Sequence, residues 1–387
     1  MSKRLSYGNA MLPAGVRSRV VRSVNGLDVH LLEAGFDKPD RPALLLLHGF
    51  PELAYSWRRV MLPLASAGYH VIAPDRRGYG GTTGWHDGYD VDLRPFGMRN
   101  MATDALALVY ALGRRQVEAV IGHDFGSPVA AWCALIRPDV FKSVAMMSAP
   151  FSGAPALPFD TAGQMRAPDH QQRGADMDAL LAALPLPRKH YMRYYASREA
   201  NDNMINAPQG LHAFLRAYFH YKSADWARNQ PFPLKSWSAE DLARLPTYYV
   251  MDLAKGMAET VASEMPSAAE IAACRWLPES ELAVYVEEFG RTGFQGALQA
   301  YRCLYDANEN AELALFSGRT IDVPSTFIAG RRDWGVYQSP GALDAMSNKA
   351  CTRFAGVHLV EGAGHWVQQE QPDKVAELLL RFLREQS

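Results

Sequence analysis

The chain has 387 residues, 48% of them hydrophobic, with 40 Lys and Arg against 41 Asp and Glu. A formal net charge of -1 gives no footprint for nucleic acid or for an anionic membrane surface. Apolar runs such as ALLLL at 43–47 are too short to span a bilayer, while the length favours a core with an added lid over one compact core.

In chain order, SRVVRSV and LDVHLLEAG flank Asn25-Gly26, a strong hairpin signal. The opening MSKRLSYGNAMLPAG has basic residues but no apolar run behind them, so a secretory signal is not expected. PALLLLHG predicts a buried strand, AYSWRRVMLPLASAG a helix closed by glycine, and YHVIAPD the next strand. A helix over about 98–113, the strand VEAVI leading to Asp124, the helix SPVAAWCALI and the strand SVAMMSAP follow. This βαβα alternation predicts an α/β fold, a mostly parallel sheet flanked by helices. From 151 to 318 strand signals almost vanish, and helical segments rich in Tyr, Phe and Trp alternate with Pro and Gly. VPSTFIAG, GALDAMSNKA and FAGVHLVEGAG then resume the pattern, and a last helix puts Val375, Leu378, Leu379, Phe382 and Leu383 on one face. The economical division is a core of 1–150 and 319–387 interrupted by a helical cap, 151–318. Cys133, Cys274, Cys303 and Cys351 form no CxxC pair; they predict reduced thiols and a cytoplasmic protein.

VIGHDFGS, at 120–127, places a carboxylate where a strand meets a helix. Asp124 there is either the cap of the following helix or a nucleophile. Gly122 and Gly126 around it fit the nucleophile elbow of α/β-hydrolases, in which small residues permit a sharp turn. Ser127 is a poor rival, because Pro128 follows it where the turn needs a small, flexible residue. In such a fold the amide after the nucleophile, here Phe125, and one from an early loop, here Phe50 in HGFPE, form an oxyanion hole. His48 in the same loop reads as structural, and DRRGYGG at 75–81 as glycine-rich turn chemistry. Asp333, just past a late strand, is placed to orient a histidine, and His365 lies between the last strand and the last helix. The order Asp124, Asp333, His365 is the nucleophile, acid, histidine order of that fold.

Over nearly its whole length the sequence resembles the epoxide hydrolases of the α/β-hydrolase fold. HGFPE (48–52), YSWR (55–58), DRRGYGGT (75–82), GHDFG (122–126), AGRRD (329–333) and GAGHWVQQEQP (362–372) carry the likeness, and GFQGALQAYR (293–302) is similar to a cap segment bearing an acid tyrosine. The resemblance implies that Tyr301 is one ring-opening acid and that a second lies in KHYMRYYASREA. Tyr191 is the best match there, with Tyr194 and Tyr195 open alternatives at helical spacing. It further implies an aspartyl-ester route from an epoxide and water to a vicinal diol and a cis Phe50-Pro51 bond. With side chains accounting for nucleophile, base and acids and no metal-ligand spacing visible, no metal or organic cofactor is expected. Two departures bear on substrate shape. Phe125 stands where most relatives have tryptophan, and the stretch 245–276 resembles only some longer members.

A haloalkane dehalogenase-like hydrolase would share the aspartate chemistry but needs halide donors, commonly an indole N–H beside the nucleophile, which Phe125 does not offer. A serine esterase would need Ser at 124. A catalytically silent ligand-binding homologue on the same scaffold is the alternative from a different class. The expected partner is a small-molecule epoxide, with no nucleic acid and no membrane; whether the chain forms a homodimer is left open.

Overall fold

The computed structural model describes residues 11–157 and 170–385. Asn25 (φ +48°) and Gly26 (φ +78°) both take left-handed backbone, closing the hairpin between β1 (Val16–Val24) and β2 (Leu27–Ala34). That is the turn an Asn-Gly pair favours, since its twist matches the flanking strands. The runs predicted as buried strands form β3 (Ala43–Leu47), β4 (His70–Pro74), β5 (Ala119–His123) and β6 (Val144–Met147), each buried at every position. Burial on both faces is why they read as continuous apolar text and not as alternation.

Beyond β6 the chain leaves the sheet and runs through helices, including Leu211–Lys222, Glu279–Thr292 and Gln295–Cys303, before re-entering it. Two three-residue strands interrupt this text, β7 (Arg188–His190) and β8 (Val250–Asp252), paired antiparallel. They are too short to leave a period in the sequence. The sheet then resumes with β9 (Ser325–Gly330) and β10 (Phe354–Val360). Its order is β1-β2-β4-β3-β5-β6-β9-β10, with the β1–β2 and β2–β4 pairs antiparallel and every later pair parallel. The carboxyl ends of β3, β5 and β9 therefore emerge on one rim, where ligands bind in open α/β sheets. The predicted helix at 341–350 is instead a short α-helix, Ala342–Ala345, followed by a π turn, Met346–Ala350. The last helix, Pro372–Arg384, buries the expected face.

A charge cluster around the buried Glu33 ties the antiparallel edge together. Glu33 of β2 accepts hydrogen bonds from Arg19 Nε (2.7 Å) and Arg17 Nε (3.0 Å) of β1, and its Oε1 lies 3.0 Å from His70 Nε2 of β4. Burial pushes the Glu33 carboxyl up, but His70 and Arg19 outweigh it and hold the group at about 2. A depressed carboxylate contributes stability that is complete above its ordinary value of 4.5 and is lost as pH falls toward 2. Glu33→Gln should therefore lower Tm at neutral pH and flatten its fall below pH 4.5. An unchanged acid slope in calorimetry would refute that assignment.

Candidate active site

At the end of β5 the chain turns through Asp124, whose φ of +50° is left-handed, into the helix Gly126–Ile136. A non-glycine residue in that conformation costs on the order of 1–3 kcal/mol and persists only where its surroundings enforce it. Here the enforcement is close packing. A Cβ on Gly122 would fall 2.0 Å from the Gly126 carbonyl oxygen, and one on Gly126 would fall 2.2 Å from that of Leu47. Both positions must be glycine, and the helix starts hard against the sheet. The capping alternative for Asp124 fails, because Phe125 is the N-cap and no side chain caps this helix.

The Asp124 carboxylate points elsewhere. Phe50 N–H donates to Oδ1 at 2.8 Å, and His365 Nε2 lies 3.2 Å from Oδ2. His365 Nδ1–H in turn donates to Asp333 Oδ1 at 3.0 Å, which also accepts from Gly335 N–H at 2.7 Å. Phe50 precedes a cis peptide bond to Pro51, as expected. The Phe125 amide heads the helix and is paired with no acceptor among the described residues. His48 is structural in its contacts: Nδ1–H donates to the Gly49 carbonyl (2.9 Å) while Nε2 accepts from Arg76 N–H (3.1 Å). Burial, then the Arg76 charge, pushes it down to about 4, so it is neutral at pH 7. Burial alone would raise the Asp124 carboxyl. The hydrogen bond and charge of His365, with the charges of Lys222 and His123, win and hold it well below the usual carboxylate range. Asp333 is likewise lowered, His365 overcoming burial.

Two segments bring tyrosines near enough to Asp124 for its charge to act on them. Gly78 and Gly296 touch backbone to backbone, since a Cβ on Gly78 would lie 2.3 Å from the Gly296 oxygen. This close approach seats the helix Gln295–Cys303, and with it Tyr301, on the core. The Tyr301 ring packs edge-on against Phe50 (centroids 5.7 Å apart) and Phe125 (5.0 Å). On the other side β7 and β8 fix the start of the helix Tyr191–Tyr195, and Tyr191 N–H donates to the Tyr249 carbonyl at 2.8 Å. The stretch 245–276 thus supplies the strand and the ring that hold Tyr191. Tyr191 and Tyr301 lie 6.2 Å apart, centroid to centroid. Burial and then the Asp124 charge push both phenols well above 10, so both stay protonated. Tyr194 instead donates to Asn203 Oδ1 (2.7 Å) and Tyr195 to Tyr218 (3.0 Å). Tyr191 donates to Gln338 Oε1 at 3.1 Å, a partner the sequence reading did not anticipate.

A family model described as alpha/beta hydrolase fold matches residues 42–372. Epoxide hydrolase A of Mycobacterium tuberculosis is 31% identical over 369 residues, covering 93% of this chain and 95% of that protein. Epoxide hydrolase B of the same organism is 30% identical over 376 residues, covering 95% and 98%. Among solved structures, an epoxide hydrolase from an endophytic Streptomyces superposes with a TM-score of 0.75 at 30% identity, covering 96% of each chain. The chain belongs to the epoxide hydrolases of the α/β-hydrolase fold. Potato epoxide hydrolase I is similar at 29% identity, with a TM-score of 0.70 over 96% of this chain and 99% of that one.

Around the residues singled out from sequence, this epoxide hydrolase carries a second polar shell that the sequence reading missed. His123 Nε2–H donates to the His365 carbonyl (2.7 Å), and Nδ1 lies 2.6 Å from Glu52 Oε2. Burial lowers the His123 pKa, but the Glu52 charge and hydrogen bond outweigh it and raise the group, favouring an imidazolium–carboxylate pair. Lys222 is buried among the rings of Tyr218, Tyr248, Tyr249 and Trp366 (4.9–5.7 Å to the centroids), and its carbonyl accepts the His365 N–H. His123 and Glu52 sit inside GHDFG and HGFPE, where charged residues in buried text were the available signal.

Proposed function

We propose that the protein hydrolyses epoxides to vicinal diols through a covalent ester on Asp124, with residues 151–318 as its cap. The observation that carries this reading is a single ionised carboxylate, its two oxygens differently engaged, whose charge acts on two buried, protonated phenols. Oδ2, free of amide donors, attacks one ring carbon. Tyr301 and Tyr191 donate to the epoxide oxygen as it becomes an alkoxide, Tyr191 exchanging its bond to Gln338 for one to substrate. Oδ1, already held by Phe50 N–H, becomes the ester carbonyl oxygen. His365, oriented by Asp333, then takes a proton from water, and the hydroxide adds to that carbonyl. The resulting oxyanion is bound by Phe50 N–H and the Phe125 N–H. Collapse expels the Oδ2-derived alkoxide, which takes the proton held by His365. The acid proton left on Asp124 restores the proton that the phenols gave to the first oxygen, so the diol leaves and the carboxylate is regenerated. An aspartate serves where a serine would not, because its own acyl carbon is the electrophile of the second step.

The chemistry draws on side chains and backbone amides alone. A mainly apolar pocket of about 500 Å³, open to solvent, lies beyond the Phe125 ring and is lined by Trp132, Phe151, Ala300 and Cys303 among others; Asp124, Tyr191 and Tyr301 are not part of its lining. Four widely spaced cysteines that form no CxxC pair support a cytoplasmic setting, and no helix among the described residues is long and apolar enough to cross a membrane.

The test is a panel of styrene oxide, 1-chlorobutane and p-nitrophenyl acetate. Diol formation should dominate, with halide or nitrophenol release about 10³-fold slower or absent, a gap of roughly 4 kcal/mol in barrier. Halide release faster than diol formation would establish the dehalogenase reading instead. Loss of all three activities in folded protein would favour the silent homologue.

A further inference from the structure

Several side chains hold the loop bearing His365, His123 and Ser148 on its carbonyl among them, and one reaches the amides on both of its flanks. Glu370, in the short helix Val367–Glu370, turns back so that Oε2 accepts from Gly364 N–H (2.9 Å) and Oε1 from Trp366 N–H (3.0 Å), the amides on either side of His365. Its Oε2 also accepts from Ala224 N–H at 2.8 Å, just past the helix Leu211–Lys222 of the inserted segment. Three further contacts join the same two pieces of chain. His365 N–H donates to the Lys222 carbonyl (2.9 Å), and Trp366 Nε1–H to that of Phe219 (2.8 Å). Gly364 lies so close that a Cβ there would fall 2.5 Å from the Ser223 carbonyl carbon.

We infer that Glu370 is a positioning residue that clips the His365 loop to the cap helix and thereby sets the second half of the reaction, an inference resting on the two-step reading above. The first half uses Asp124 and the phenols, neither of which Glu370 touches. The second half needs His365 Nε2 at a fixed place relative to the ester carbonyl, with a water between them. A base displaced by even 1 Å loses up to about a hundredfold in rate. Three amides converging on the Glu370 carboxyl, which burial pushes up to about 8 in spite of them, hold the loop on both flanks of the base, and the Ala224 bond makes that hold depend on the cap. Trp366, whose ring packs on Phe219 at 4.6 Å, cannot supply this alone, because it fixes only the far side of His365.

The experiment is stopped-flow and rapid-quench kinetics with styrene oxide, resolving formation of the alkyl-enzyme from its breakdown. Glu370→Ala should slow breakdown about tenfold to a hundredfold while formation stays within about twofold, so the covalent species accumulates. Glu370→Gln keeps a carbonyl able to accept from Gly364 and Ala224, and should recover most of the lost rate. Equal slowing of both steps, or no slowing of breakdown, would overturn the inference. Wild-type protein that forms no covalent species would instead overturn the two-step reading. Should Glu370→Ala fail to fold, hydrogen exchange on wild type decides. Peptides covering 222–226 and 363–367 should open together, as one cooperative unit. Independent opening would refute the clip.

Discussion

His365→Gln is expected to react once with an epoxide and stop. In the proposed mechanism ring opening requires Asp124 and the phenols, whereas ester hydrolysis requires a base next to the ester, and His365 is the group 3.2 Å from Asp124 Oδ2. Glutamine cannot accept water's proton at neutral pH. Turnover should fall by about 10²–10⁴-fold, the range for loss of a positioned general base, while the first turnover is largely kept. Intact mass should rise by one substrate, and peptide mapping should put the adduct within VIGHDFGS. Asp124→Ala, which has no nucleophile, should acquire no adduct. Normal turnover by His365→Gln would remove the histidine from the mechanism.

Tyr301→Phe should act on the other half-reaction. Deleting one preorganised donor from a site where charge develops costs about 10²–10³-fold. The loss should appear in alkyl-enzyme formation, with breakdown little changed, the mirror image of the histidine variant. Tyr191→Phe should act in the same direction, and the double variant should fall by less than the product, since the proposed mechanism has both hydroxyls serve one oxygen. By contrast, Tyr194→Phe and Tyr195→Phe should be mild, because those hydroxyls are committed to Asn203 and Tyr218. The pH dependence follows from the same geometry. Acids whose values are raised above 10 stay protonated as pH climbs, so ring opening should show no tyrosine-dependent decline below pH 10. A basic limb below that point, abolished by Tyr→Phe, would contradict the buried-phenol assignment.

How far these features were legible in the sequence depends on whether local chemistry or tertiary contact decides them. Asn25-Gly26 and the Gly122–Gly126 turn announce themselves, because positive φ and close backbone approach restrict the residue types allowed. The buried strands are equally plain, being apolar runs bounded by turn residues. Order along the chain then suffices to set Asp124, Asp333 and His365 on one rim. Tyr191, Tyr194 and Tyr195 are different. Their spacing puts them on one short helix, and only the partners Gln338, Asn203 and Tyr218 tell them apart. The same holds for His123, Glu52, Lys222 and Glu370, whose residue types are visible but whose burial and pairing arise from segments far apart in sequence. β7 and β8 left no trace because three residues cannot establish a period.

The covalent ester on Asp124 is tested most directly by single-turnover reaction of wild-type enzyme, in excess over styrene oxide, in heavy-oxygen water. If water attacks the ester carbonyl, one Asp124 oxygen leaves in the diol and the solvent oxygen remains in the carboxylate. The peptide containing VIGHDFGS should therefore gain heavy oxygen while the first diol carries none. Label in the first diol with an unlabelled Asp124 would mean that water opens the epoxide directly, and that Asp124 is a general base and not a nucleophile.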